Sequence, residues 1–203
     1  ALRTSIGKLN GVYSKYKSHE LGTLVIKEVL NKTNLDSSNI DEIIMGQVLT
    51  GSTGQNPARQ AAIKASIPVE KTAYIVNQVC GSGLRSVAAA YQSILLNDAK
   101  IIIAGGQESM SNSSEENILK DGLIDAFNNY HMGVTAENVA KKFNITRQEQ
   151  DEFALKSQKK AELAIDNNKF NEELVKINHE GNILDVDEHP RLGLKISDLE
   201  KLK

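Results

Sequence analysis

The sequence predicts an α/β fold in which a parallel or mixed sheet is covered by helices. Three short apolar runs, at 43–45, 73–76 and 101–104, have the length and the β-branched content of buried strands. Stretches with helical spacing or many small residues alternate with these runs, at 18–31, 58–65 and 84–96. Strands that alternate with helices through short links favour a helix-covered sheet.

The helix predicted at 18–31 has leucines and valines at three- and four-residue steps, and Ser18 is its expected N-cap. The apolar runs at 43–45 and 48–49 predict one strand interrupted by Gly46. The loop at 51–56 leads to Pro57, which suits a helix start. The strand at 73–76 leads through a glycine-containing turn into the helix at 84–96. The strand at 101–104 is expected to end at two glycines.

The pattern changes after residue 110. Residues 111–120 are polar and show no period, and a short helix is predicted at 135–143. Thr146 and Glu149 have the spacing of a capping box that opens a long polar helix to about residue 167. Apolar runs on either side of 179–182 predict a hairpin. A second capped helix is predicted to start at Ser197, and because the chain stops inside it, we expect the chain to be truncated.

Composition excludes several classes of protein. The chain has 203 residues, 40% of them apolar and 25% charged, which is typical of globular proteins. A formal net charge of −2 provides no polycation for nucleic acid. One cysteine cannot form an internal disulfide, and no apolar run approaches the length of a membrane span. With no charged-then-apolar leader at Ala1, we expect a cytoplasmic protein.

The sole cysteine lies between a predicted strand and a predicted helix, in residues 77–85, Asn-Gln-Val-Cys-Gly-Ser-Gly-Leu-Arg. Gly81 and Gly83 permit a tight turn and leave room for a substrate. The first amides of a helix lack intrahelical acceptors, so their partial positive charge favours a thiolate at Cys80 and can hold an oxyanion. Free cysteines are more often buried and inert. Placement alone therefore leaves a catalytic and a structural interpretation open.

A second candidate is the pair His131 and Met132, which precedes a predicted helix and could line a pocket for an acyl group. A single histidine is more often structural, so both interpretations stay open here as well. His19 is expected to be solvated at a helix start. The four histidines and one cysteine are too scattered to suggest a zinc site, and no metal is predicted.

Several short motifs follow one another along nearly the whole chain, and as an ordered set they are far more specific than any one of them. They are Arg-Thr-Ser-Ile-Gly-Lys at 3–8, Gly-Gln-Asn-Pro-Ala-Arg-Gln at 54–60, the cysteine motif at 77–83, Gly-Gly-Gln-Glu-Ser-Met-Ser at 105–111, Asp-Gly-Leu-Ile-Asp-Ala-Phe at 121–127, Tyr-His-Met-Gly at 130–133 with Thr-Ala-Glu-Asn at 135–138, and Asp-Glu-His-Pro-Arg at 187–191. The set resembles the thiolase family, and within it the acetyl-CoA acetyltransferases. The resemblance favours a nucleophilic Cys80.

The resemblance implies a thiolase-like fold, in which two similar α/β halves each contain a mixed sheet covered by helices. An α+β loop domain is inserted in the first half. Residues 1–110 would form the N-terminal half without its first strand, and residues 111–203 an incomplete loop domain. The C-terminal half would be absent, and the stretch at 111–118 is shorter than in typical members.

The resemblance also implies a ping-pong reaction. Cys80 would accept an acetyl group from acetyl-CoA, and a second acetyl-CoA would attack the thioester to give acetoacetyl-CoA and CoA; the reverse is thiolytic cleavage of a 3-ketoacyl-CoA. Coenzyme A thioesters are the substrates, so no further cofactor is implied. Fatty acid metabolism and a homodimer or homotetramer are expected.

By position, four residues would contact the substrate. His131 and Met132 match pocket residues near the thioester, Leu123 matches a residue that touches pantetheine, and Lys203 matches a basic residue near the CoA nucleotide. The family's second half supplies an activating histidine, a second cysteine and an oxyanion-hole asparagine, so the 203-residue chain alone is predicted not to turn over. The alternatives are a condensing enzyme of the ketoacyl or hydroxymethylglutaryl-CoA synthase type, a non-catalytic CoA- or lipid-binding relative, and an interaction fragment.

Overall fold

The computed structural model describes residues 1–202 and contains a three-stranded sheet, a two-stranded hairpin and seven α-helices in those residues. The strands and helices follow one another along the chain as α1 Ser18–Thr33, β1 Glu42–Gly46, α2 Pro57–Lys64, β2 Thr72–Val76, α3 Ser82–Leu95, β3 Ile102–Gly106, α4 Glu115–Asn117, α5 Met132–Phe143, α6 Arg147–Asp166, β4 Ile177–His179, β5 Asn182–Leu184 and α7 Ile196–Leu199.

The sheet has the order β2-β1-β3, and both pairings are parallel. The register aligns the last residues of the three strands, Val76, Gly46 and Gly106. The predicted helix-covered sheet is confirmed, and no antiparallel strand joins it within residues 1–202. Because all three strands run the same way, their carboxyl ends meet at one edge of the sheet.

The main core lies between β1 and the helices α1 and α2. Ile43 and Met45 of β1 are buried against Ile26 of α1, and the alanines of α2 pack closely on them. Asn56 starts α2 by accepting a hydrogen bond from the Arg59 amide, as the loop-then-proline pattern predicts. Small side chains on α2 allow the close helix–sheet packing seen here.

A second, smaller core connects the hairpin with α1. Val175 and Ile177 pack with Tyr13 and Leu21, which are all buried. The chain start is fixed to the same region, because Arg3 forms a parallel bridge with residue 174. The hairpin therefore packs on elements of the first 110 residues.

Several element boundaries differ from the prediction. β1 ends at Gly46, so the predicted continuation at 48–49 is wrong. Ser18 is the first residue of α1 rather than its cap, and its buried hydroxyl has no partner among the described residues. Ser197 lies inside α7, where Asp198 accepts a hydrogen bond from the Lys195 amide. The glycines predicted to close β3 belong to that strand. The patternless stretch contains α4 and a π-helix, Ile118–Leu123.

His19 is buried, with 3% of its surface exposed, so the prediction of a solvated helix start is wrong. Burial lowers its pKa from the ordinary 6.5, and the charge of Lys64 adds to this effect. In the part of the chain that the structure describes, no helix is long and apolar enough to cross a membrane.

Candidate active site

Cys80 lies at the carboxyl edge of the sheet, in the five-residue connection between β2 and α3. Its side chain is free and exposed. Ligands of open α/β sheets bind at this edge, where loops from neighbouring strands converge. The position therefore satisfies the first requirement of a nucleophile, which is access to a substrate.

The start of α3 is seated directly on the end of β1. A Cβ at Gly46 would lie 2.4 Å from the carbonyl carbon of Ser82 and 2.5 Å from the nitrogen of Gly83. On the other side, Gly106 of β3 faces the Cα of Gly83. Ser86, one turn further on, donates hydrogen bonds of 2.7 Å to the carbonyls of Gly83 and Gly105. Glycines at the strand ends thus set how close the cysteine turn comes to the sheet.

The first amides of α3 are only partly available. Those of Gly81 and Ser82 donate to carbonyls of the preceding turn at 3.0 and 3.1 Å. Those of Gly83 and Leu84 have no acceptor within residues 1–202. Two amides of the first turn of α3 therefore have no hydrogen-bond acceptor among residues 1–202, which is fewer than the usual four.

A second loop brings three of the predicted site residues together. Ile124 and His131 form an antiparallel bridge. Leu123 and Met132 are their neighbours in the chain, on the same side of this bridge. Asp125 fixes the tip of this loop, accepting hydrogen bonds from backbone amides that lower the pKa of its carboxyl. Leu123, His131 and Met132 thus belong to one local structure.

His131 has a structural contact in addition to its predicted role. Its Nδ1 accepts a 3.0 Å hydrogen bond from the Gly133 amide and caps α5, which begins at Met132 rather than at the predicted residue 135. An accepting Nδ1 leaves Nε2 to carry the proton in the neutral ring. His131 and Met132 are both exposed, and Leu123 is half-buried. Lys203 lies outside the described residues.

The Leu123 loop comes close to the segment that follows β1. A Cβ at Gly122 would lie 3.9 Å from Leu49, which follows β1. Glu108, which follows β3, holds the same segment by accepting from the amides of Val48 at 2.8 Å and Leu49 at 3.3 Å. The loops after β1 and β3 are thus tied together.

Asn77 extends this connection to the cysteine turn. Its amide group donates to the Val48 carbonyl at 3.5 Å, and its Oδ1 accepts from the Val79 amide at 2.9 Å. Sequence analysis gave no role to Asn77 or Glu108. The sequence signal for such a turn is an asparagine directly after a strand. Its side-chain oxygen can accept a hydrogen bond from the amide two residues further on.

The described residues contain no group of three or more histidine, cysteine or acidic side chains that could hold a metal ion. The chain is thus an α/β protein with an exposed cysteine close to a helix start, on the carboxyl edge of a helix-covered parallel sheet, which is the access that a thiol nucleophile needs.

Comparison with known proteins gives the family. The family described as thiolase, N-terminal domain, matches residues 1–118 and 112–203. The chain belongs to this family. The two matches meet at the stretch that sequence analysis finds shorter than in typical members.

Acetyl-CoA acetyltransferases from two bacteria are similar over the whole chain. That of Rhizobium meliloti strain 1021 is 47% identical and that of Paracoccus denitrificans 46%, each over 223 aligned positions. The chain spans 57% of the length of each of these relatives. The crystal structure of the Bacillus anthracis acetyl-CoA acetyltransferase matches with a TM-score of 0.93 at 30% identity, over 100% of this chain and 56% of that one. The thiolase-like fold is confirmed.

Proposed function

We propose that this chain is the nucleophile-bearing part of an acetyl-CoA acetyltransferase. The observation that carries the proposal is the exposed Cys80 two residues before α3, the helix whose Gly83 and Leu84 amides have no acceptor among residues 1–202. The names of the relatives support acetyl-CoA as the substrate.

In the first half-reaction, the Cys80 thiolate attacks the carbonyl carbon of acetyl-CoA. The carbon–sulfur bond to CoA then breaks, and CoA leaves after taking up a proton. The free amides of α3 stabilise the oxyanion formed in between. In the second half-reaction, the methyl group of another acetyl-CoA loses a proton, and its carbanion attacks the thioester to release acetoacetyl-CoA and regenerate Cys80. The reverse direction cleaves a 3-ketoacyl-CoA.

We further propose that Leu123, His131 and Met132 line the path of the substrate. Their support is the shared loop, which rests on Leu49 at the sheet edge next to the cysteine turn. Lys203 stays a proposed contact of the CoA nucleotide. The activating histidine, the acid/base cysteine and the oxyanion asparagine would come from the part of the relatives that this chain does not span.

Incubation of the chain with acetyl-CoA, followed by intact-mass spectrometry, tests the proposal. We expect one acetyl group on the chain, and none on Cys80→Ser. Since Cys80 is the sole cysteine, the adduct is unambiguous. Failure to acetylate a chain whose thiol still reacts with iodoacetamide would contradict the proposal and would favour a CoA- or lipid-binding relative without chemistry.

Steady-state thiolysis by the 203-residue chain tests whether catalysis needs groups from the part of the relatives that this chain does not span. A single acetyl transfer to Cys80 needs only its thiolate and can occur slowly without a base. A full catalytic cycle also needs the acid/base cysteine and the oxyanion asparagine proposed for the part that this chain does not span, so we expect no turnover. Turnover at the rate of a bacterial acetyltransferase would show instead that the described residues suffice.

We also propose a homodimer or homotetramer, a cytoplasmic location and a role in fatty acid metabolism. The support for the location is a sequence with a single cysteine, which cannot form an internal disulfide. The support for the metabolic role is the acetyl-CoA named for the relatives.

A further inference from the structure

Val79, the residue before Cys80, has an uncommon backbone conformation. Its φ is +48°, in the left-handed region. Eleven non-glycine residues have positive φ in the described part of the chain, and seven of them are asparagine. Asparagine tolerates this region, whereas a β-branched residue pays a penalty of roughly 1–3 kcal/mol there. Val79 is the β-branched member of the set, so its surroundings must hold it.

Both peptide groups of Val79 are fixed by neighbouring side chains. Its amide donates to Asn77 Oδ1 at 2.9 Å, and its carbonyl accepts from Ser82 Oγ at 2.6 Å. Ser82 Oγ also accepts a 2.8 Å hydrogen bond from the Gln78 amide. Ser82 is buried, with 4% of its surface exposed, and its hydroxyl is fully used within this turn.

The φ and ψ of Val79 determine the direction of the next peptide and therefore where the Cα–Cβ bond of Cys80 points. In an extended conformation, which valine prefers, the same chain would direct Cys80 elsewhere relative to α3. The strain at Val79 thus has a geometric consequence at the sulfur.

We propose that Asn77 and Ser82 are positioning residues that hold Val79 in the left-handed conformation and thereby fix the direction of the Cys80 side chain at the start of α3. The importance of this orientation for acyl transfer rests on the proposed function. The orientation itself can be measured without any thioester.

The test is the rate of Cys80 alkylation by iodoacetamide as a function of pH, in the 203-residue chain. We expect Asn77→Ala to slow alkylation at neutral pH by about tenfold and to change the shape of the pH–rate profile, because the Cα–Cβ bond of Cys80 is no longer held in one direction. Asn77→Asp keeps an acceptor oxygen and should restore the rate. Ser82→Ala should act in the same direction as Asn77→Ala.

A double-mutant cycle gives the decisive result. Glycine adopts positive φ without a penalty. A glycine at position 79 should therefore depend less on the hydrogen bonds with Asn77 and Ser82. We therefore expect Asn77→Ala to reduce the alkylation rate of Cys80 much less in the Val79→Gly background than in the original chain. Equal costs in both backgrounds would overturn the proposal. Asn77 is exposed, so this cycle decides the question even if Ser82→Ala does not fold.

Ser86→Ala is the matched control, because Ser86 lies on the same helix and bonds to Gly83 and Gly105 rather than to Val79. It should lower the free energy of unfolding without moving the pH profile. If the profile moves equally in Ser86→Ala, the effect belongs to general loosening of α3 and the proposal is wrong. Loss of acetylation by acetyl-CoA with an intact alkylation cycle would contradict the proposed function and leave this inference standing.

Discussion

Gly46 on β1 and Ser82 on α3 are in such close contact that a Cβ at Gly46 would lie 2.4 Å from the Ser82 carbonyl carbon. Main-chain atoms cannot move aside like a flexible side chain. We therefore expect Gly46→Ala to lower the free energy of unfolding by about 3 kcal/mol, measured by urea denaturation. It should also change the alkylation rate of Cys80.

Gly105→Ala is the control for this substitution. Gly105 is the register partner of Met45 on the adjacent strand, and a Cβ there would meet nothing within 4 Å. We expect its stability to stay within about 1 kcal/mol of the original chain. Comparable losses for both variants would mean that strand conformation, rather than the contact with α3, makes Gly46 necessary.

Asp187 joins the chain start to the segment that follows the β4–β5 hairpin. It accepts two hydrogen bonds from the Arg3 guanidinium, at 2.8 and 3.0 Å, and a third from the Ile6 amide at 2.7 Å. We expect Asp187→Asn to lower the free energy of unfolding, measured by urea denaturation, by about 2 kcal/mol at pH 7. The reason is that charge-assisted hydrogen bonds are lost at a largely buried carboxylate. Glu180→Gln, which removes a carboxylate that is 68% exposed and pairs with Lys15 and His179, should cause no measurable change.

The Asp187 effect should depend on pH. The hydrogen bonds from Arg3 hold the pKa of the Asp187 carboxyl below its ordinary 3.8. A group with a lowered pKa contributes its stability above the ordinary value and loses it as the pH falls through the lowered one. The difference between the original chain and Asp187→Asn should therefore shrink as the pH falls below the ordinary 3.8. A difference that stays constant would place the effect in packing.

His19 should make the chain less stable in mild acid. Because burial lowers its pKa below 6.5, the unfolded chain takes up a proton at a pH where the folded chain does not. Stability is therefore lost as the pH falls below 6.5. We expect urea titrations to show a smaller loss between pH 7.5 and pH 5 for His19→Asn. His189→Asn, at an exposed histidine, should keep the slope of the original chain.

Asp125 should control the mobility of the loop that carries Leu123 and His131. Its Oδ1 accepts from the amides of Phe127 at 2.9 Å and Asn128 at 2.6 Å. We expect Asp125→Ala to raise hydrogen exchange at these two amides severalfold while leaving global stability nearly unchanged. Asp121→Ala is the control, since that side chain accepts no hydrogen bond from the described residues. Equal exchange in both variants would show that the loop is held by other contacts.

The strands and the long helices could be predicted from the sequence because their signals are local. The apolar runs that became β1, β2 and β3, and the capping box at Thr146 and Glu149, depend on near neighbours in the chain. The motif order likewise identified the family that the comparisons confirm. The roles predicted for Cys80, Leu123, His131, Met132 and Lys203 stay predictions.

Capping and burial depended on the tertiary structure. Ser18 was predicted as a cap because its side chain suits one, but the fold buries it inside α1. His19 has a polar side chain and a helix-start position, and nothing near it in sequence indicates that α1 packs it away from water. Burial is decided by contacts with distant segments, which local patterns do not contain.

The sequence by itself determined which residues could carry chemistry, since one cysteine between a strand and a helix leaves a single candidate nucleophile. Only the tertiary structure decided how that residue is held, through the contact of Gly46 with Ser82 and the hydrogen bonds to Val79. The reason is physical: residue type sets reactivity, whereas backbone direction is fixed by close packing and hydrogen bonds that form only when the strands and α3 come together.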